Sequence, residues 1–179
     1  MRRYDIYKLD GEELTFVKRY ANRNKADDFM AHGTSNGTFY VMYYYVDYSK
    51  KEDSNNWTFF SSILFLNGIP ALHSRKRLDV QDIERLKEKL GRVYAADGKM
   101  YYINNRQLTC QDMFDMIGGF GHVKVVQDQP DRMAIIYKDV DNILQGKSND
   151  PLPPKNKQAS EMFGIPLYGN VIFINENYC

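Results

Sequence analysis

Apolar and polar positions divide this chain into short elements with recognisable punctuation. Residues 4–9 (YDIYKL) and 14–20 (LTFVKRY) flank Asp10-Gly11, a strong turn dipeptide, and predict a β-hairpin. Asn24 to His32 has helical character, with Gly33 placed to cap its C-terminus. Thr38–Tyr48 (TFYVMYYYVDY) and Trp57–Leu66 (WTFFSSILFL) are dense in aromatic and β-branched residues, which suit a pleated surface. The polar SKKEDSNN between them predicts antiparallel pairing. Neither run alternates cleanly, so both faces of these strands are expected to be covered, as for central strands beneath helices.

Asp79 opens the clearest helix. Val80, Ile83, Leu86 and Leu90 share one face, charges occupy the other, and Gly91 is expected to close it. Val93–Ala96 and Met100–Ile103 surround Asp97-Gly98 as a second hairpin. Thr109 reads as an N-cap with Asp112 three residues on, a variant of the capping box, for a short helix Cys110–Ile117 ending at Gly118-Gly119. His122–Gln127 and Met133–Tyr137 predict strands about Pro130-Asp131. Asn149–Lys155, with its prolines, predicts a loop. A helix over Lys157–Phe163 ends at Gly164, and Asn170–Ile174 predicts a final strand. The whole describes an α+β fold: a mostly antiparallel sheet with three to four helices packed on it. Two subdomains are expected, an aromatic-rich region 1–108 and a small C-terminal domain 109–179.

Composition sharpens this picture. The 179 residues are 43% apolar, enough for a packed core, and include 14 Tyr and 10 Phe but one Trp. Tyrosine packs its ring yet needs a partner for its hydroxyl, which points to amphipathic sheet surfaces. A net charge of +1 excludes a strongly basic nucleic-acid binder and an acidic nucleic-acid mimic. Residues 1–108 hold 18 Lys/Arg against 14 Asp/Glu and residues 109–179 hold 6 against 9, an asymmetry too small to identify a partner. No apolar run follows Arg2-Arg3, so no signal peptide is expected. The apolar segments are too short for a membrane span. Cys110 and Cys179 form neither a disulfide framework nor a metal-ligand set, and a reducing cytoplasm is the expected location.

Chemistry-bearing motifs are sparse. His32, His73 and His122 share no ligand spacing, and no phosphate loop, nucleophile elbow or zinc-binding helix occurs, so no cofactor or metal is expected. Gly118-Gly119-Phe120-Gly121-His122 superficially resembles a phosphate-binding loop. It follows a helix and precedes a strand, however, the reverse of the order that aims amide N–H groups at an anion, so a helix end is the simpler account. Cys110 would sit in the first turn of its helix, where the dipole lowers a thiol pKa, and with His122 it forms a conceivable nucleophile–base pair. A lone cysteine is more often a small buried hydrophobe. His73-Ser74-Arg75-Lys76-Arg77 is the densest basic run, placed in a loop before the Asp79 helix where it could grip phosphates. A solvated loop is the plainer account. The tyrosines of 40–48 could stack on bases, or pack between layers as their two-sided pattern favours.

Over Asp112–Ile174 several segments occur in order: MFDMIGGFGHVKVV, then MAIIYKD, then PLPPKNKQASEMFGIPLYGNVIFI. The helix running into Gly118-Gly119-Phe120 is one mark; Asn156, Ala159 and Ser160 are another, followed by Tyr168-Gly169-Asn170 before an apolar strand. In these marks the region resembles the domain of unknown function 3846 family of phages, plasmids and other bacterial mobile elements. The chain departs from that pattern at Gly121-His122 and in its lengthened proline loop at 151–154. The resemblance implies a mobile-element setting and supplies no catalytic residues. Residues 1–108 carry no comparable resemblance.

Taken together, these features favour a non-enzymatic binding module for a host protein or a small ligand, with Tyr43, Tyr45, Arg75, Lys76, Arg77, Phe120 and His122 as candidate contacts. A nucleic-acid-associated factor using the Arg75–Arg77 loop is the alternative, and an enzyme centred on Cys110 and His122 is the third.

Overall fold

The computed structural model describes residues 1–49, 55–104, 109–117, 123–129, 132–137 and 140–175. It is an α+β protein whose strands pair antiparallel throughout, in two compact units, Met1–Glu88 and Lys89–Cys179.

In the first unit, β1 (Arg2–Asp10) and β2 (Glu13–Tyr20) form the expected hairpin. Asp10 pairs with Glu13, so the turn centres on Gly11-Glu12, one residue beyond the predicted dipeptide, with Gly11 at φ +62°. That geometry suits a tight hairpin whose first central residue must be left-handed. Helix α1 (Arg23–His32) starts where the Asn22 side chain accepts from the Asn24 and Lys25 amides, and ends as the Gly33 amide donates to Phe29. Strands β3 (Phe39–Val46), β4 (Thr58–Leu66) and β5 (Ile69–Ser74) complete a sheet ordered β2-β1-β3-β4-β5.

Both faces of β3 are covered, which its unbroken aromatic and β-branched sequence predicted. On one face Ala26 and Met30 of α1 pack with Tyr4, Ile6, Tyr40, Met42, Ile63 and Phe65. On the other runs α2 (Val80–Lys87), whose Lys87 ammonium sits 5.5 Å from the centroid of the Phe39 ring. Asp79 and Asp82 cap α2 reciprocally, each side chain accepting from the other's backbone amide at 2.9 and 3.1 Å. The helix stops at Lys87, a turn earlier than its apolar spacing suggests, so Leu90 lies outside it and Gly91 opens a strand.

The second unit places β6 (Gly91–Tyr94), β7 (Met100–Ile103), β8 (Val123–Gln129), β9 (Arg132–Tyr137) and β10 (Val171–Asn175) in a sheet ordered β7-β6-β10-β9-β8. Helices α3 (Cys110–Ile117), α4 (Val140–Leu144) and α5 (Lys157–Phe163) accompany it. The subdomain boundary expected at residue 108 falls instead at Glu88/Lys89. The reason is pairing: β10 is central, and β6 is the neighbour that satisfies one of its edges, with Ile172 opposite Val93. Two elements escaped the sequence reading, β5 and α4. Among the described residues no helix is long and apolar enough to cross a membrane.

Candidate functional site

Strand register assembles a cluster on the α2 side of the first sheet. Asp5 lies opposite Arg19 on β2 and opposite Tyr43 on β3. Its carboxylate is buried, and Arg19 holds it bidentately, Nε donating at 2.6 Å and an Nη at 3.0 Å. Arg3 Nε approaches the same carboxylate at 3.2 Å. A buried carboxylate without such partners would be costly, so the two guanidinium groups are what allow Asp5 to remain inside the layer. Arg19 reaches in from outside, and its side chain keeps 55% of its surface exposed.

Around these charges stand aromatic rings. The Arg3 guanidinium lies against the rings of both Tyr45 and Trp57, at 4.4 and 4.9 Å from their centroids. Phe59 meets Tyr43 and Tyr45 edge-on at 6.3 and 5.8 Å, and Tyr7 packs between Tyr43 and Phe16 at 5.2 and 5.5 Å. Arg77 places its guanidinium 4.8 Å from the centroid of Tyr43. Each such cation–ring contact contributes about 0.5 to 1 kcal/mol where exposed.

The segment that carries Arg77 is fixed from below. The Tyr43 hydroxyl donates to the Leu78 carbonyl, and the Ser62 hydroxyl donates to that of Lys76. The Lys76 amide in turn donates to the Ser74 hydroxyl. Burial pushes the Tyr43 hydroxyl above the ordinary tyrosine pKa, with Arg77 opposing. The Lys76 ammonium is 2.8 Å from Asp82, and that contact lowers the Asp82 pKa below the usual carboxylate range.

The sequence-predicted residues are therefore distributed as follows. Tyr43 and Tyr45 are buried, 3% and 8% exposed, with their rings meeting Arg77 and Arg3. Arg75, Lys76 and Arg77 are exposed. Phe120 and His122 lie outside the described residues, so their relation to Cys110, which opens α3, does too. Arg3, Asp5, Tyr7, Phe16, Arg19 and Phe59 escaped sequence reasoning, because only strand register brings them beside Tyr43. Among the described residues no group of three or more His, Cys, Asp or Glu is arranged to hold a metal ion.

The second unit uses its distinctive residues differently. Asn156 is buried and caps α5: its Oδ1 accepts from Ala159, while Nδ2 donates to the carbonyls of Tyr94 and Gly169 at 2.8 and 2.9 Å. The Ser160 hydroxyl donates to the Asn156 carbonyl and accepts from the Leu167 amide. Asn170 accepts from Ala96 and donates to the Met116 carbonyl near the end of α3. These three polar side chains are committed to backbone groups and fasten loops to helices.

No family of proteins, no curated protein and no solved structure matches this chain.

Proposed function

We propose that the protein is a non-catalytic binding module acting in the cytoplasm, and that it meets its partner through the cationic–aromatic face of the first sheet. The observation that carries this is the pairing of exposed Arg19 and Arg77 with the ring floor of Tyr7, Phe16 and Tyr43. Arginine and aromatic side chains held rigid by packing dominate the energetics of protein contacts. The resemblance of residues 112–174 to proteins of mobile elements adds a phage or plasmid setting, in which a host protein is the natural partner.

The alternative, a nucleic-acid grip by the loop at 75–77, is weakened because Lys76 is already paired with Asp82. The proposal is tested by native mass spectrometry of the protein purified from cells, wild type beside Arg77→Ala. A co-purifying mass present with the wild type and lost from the variant supports it. A mass retained equally by both sinks the assignment to this face.

A further inference from the structure

We infer that the occupant of this face is a short acidic segment of a partner protein in extended conformation, carrying two carboxylates on one side of the chain, about two or four residues apart, with an apolar side chain beside them. This rests on the binding-module reading above and adds the chemistry of the partner.

Three observations lead there. The first is charge. Asp5 is consumed by Arg3 and Arg19, so it neutralises nothing outside the layer. Arg77 contacts the Tyr43 ring and has no carboxylate within ion-pair distance among the described residues. Arg19 spends its Nε and one Nη on Asp5, leaving N–H groups of the other Nη on a half-exposed side chain. These two arginines leave two cationic points on this face.

The second is the state of the rings. A single-stranded nucleic acid needs open ring faces on which bases stack. Tyr43 and Tyr45 are 3% and 8% exposed, and guanidinium groups already lie against them. The first unit as a whole holds 14 Lys/Arg against 13 Asp/Glu, which gives no field to draw in a polyanion. Two local cations in a near-neutral unit suit a short anionic epitope instead.

The third is spacing. Arg19 stands on β2, and Arg77 lies over Tyr43 on β3, two strand intervals away. At about 4.8 Å per interval the separation is roughly 10 Å, within side-chain reach of same-side positions two or four residues apart in an extended chain, which are about 7 and 13 Å from each other. Asp5 lies directly between the two points, and in the adjacent row of the sheet the rings of Tyr7 and Phe16, the latter 49% exposed, offer a floor for an apolar side chain beside that line. The partner chain would cross the strands and need not pair with the sheet edge, which the bulge at Val17 blunts.

The test is panning of a phage-displayed random peptide library on the intact protein, with counter-selection on Arg77→Glu. Arg77→Gln, which keeps most of the side-chain stem, serves if the reversed charge disturbs folding; circular dichroism reports that. The expected result is a consensus of two acidic residues about two or four positions apart with an apolar one beside them. Selected peptides should bind either Arg77 variant about tenfold or more weakly. Oligothymidine should not displace them. A consensus without acidic residues, no consensus, or equal binding to the variants overturns the inference, as does full displacement by oligothymidine. If the cell-derived mass depends on Arg77 while panning yields no acidic consensus, the binding module stands and the peptide chemistry falls. If neither depends on Arg77, both fall.

Discussion

At the scale of single residues, buried polar side chains in both units are tied to backbone carbonyls. Asn156 makes three side-chain hydrogen bonds inside the second unit, two to carbonyls with no other role for that amide. Asn156→Ala strands these groups and removes the cap of α5, and is expected to cost about 2 to 4 kcal/mol. Asn156→Asp keeps the cap but faces a carboxylate with two carbonyl oxygens, so urea unfolding should rank it below the alanine variant. In the first unit, Tyr43 and Tyr4 both have pKa values raised chiefly by burial. The folded state then holds these protons above the ordinary tyrosine value of about 10, where the unfolded chain releases them. Stability is fully present below that pH and falls as pH rises through the raised values. Tyr43→Phe should lose about 1 kcal/mol at pH 7 with its bond to Leu78, yet show a shallower alkaline decline. Urea midpoints from pH 7 to 11 measure both.

At the scale of elements, local chemistry was legible wherever a cap or a turn was complete within a few residues. Asp79 before α2, Thr109 with Asp112 and Gly164 after α5 all marked true boundaries. The β4–β5 hairpin was missed although Asn67-Gly68 is the strongest two-residue hairpin signal, with φ values of +55° and +76°. Pro70, which argues against a strand interior, and the shortness of β5 concealed it; Pro70 is accommodated because β5 is an edge. Gly68 is constrained twice, since a Cβ there would also meet the Met30 carbonyl oxygen of α1 at 2.8 Å. Gly68→Ala is therefore expected to destabilise by about 1 to 3 kcal/mol, read as a lowered thermal midpoint. The candidate site was less legible than the fold. Tyr43 and Arg77 were noticed singly, but a contact between positions so far apart in sequence is set by register and by the anchoring of the 75–78 segment, which no local pattern encodes.

At the scale of the whole molecule, each unit has its own sheet and core. The first gathers Tyr4, Ile6, Met30, Met42 and Ile63, and the second Val93, Ile103, Ile117 and Ile172. Residues 1–88 expressed alone are thus expected to fold, keeping near-ultraviolet dichroism from their packed tyrosines and a cooperative melt. A featureless spectrum would show that the first sheet depends on the rest of the chain.

The strand orders also carry a consequence in time. In the first sheet every neighbour is supplied within a few dozen residues, so the sheet can close as soon as β5 and α2 have emerged from the ribosome. In the second, the middle position is filled by β10, whose partner Tyr94 was made some 77 residues before Val171. Until β10 arrives, β6 and β9 each wait with a bare edge, and the half-made unit is the one exposed to mispairing. The surface assigned here to partner binding would thus be finished while the remainder of the chain is still being synthesised.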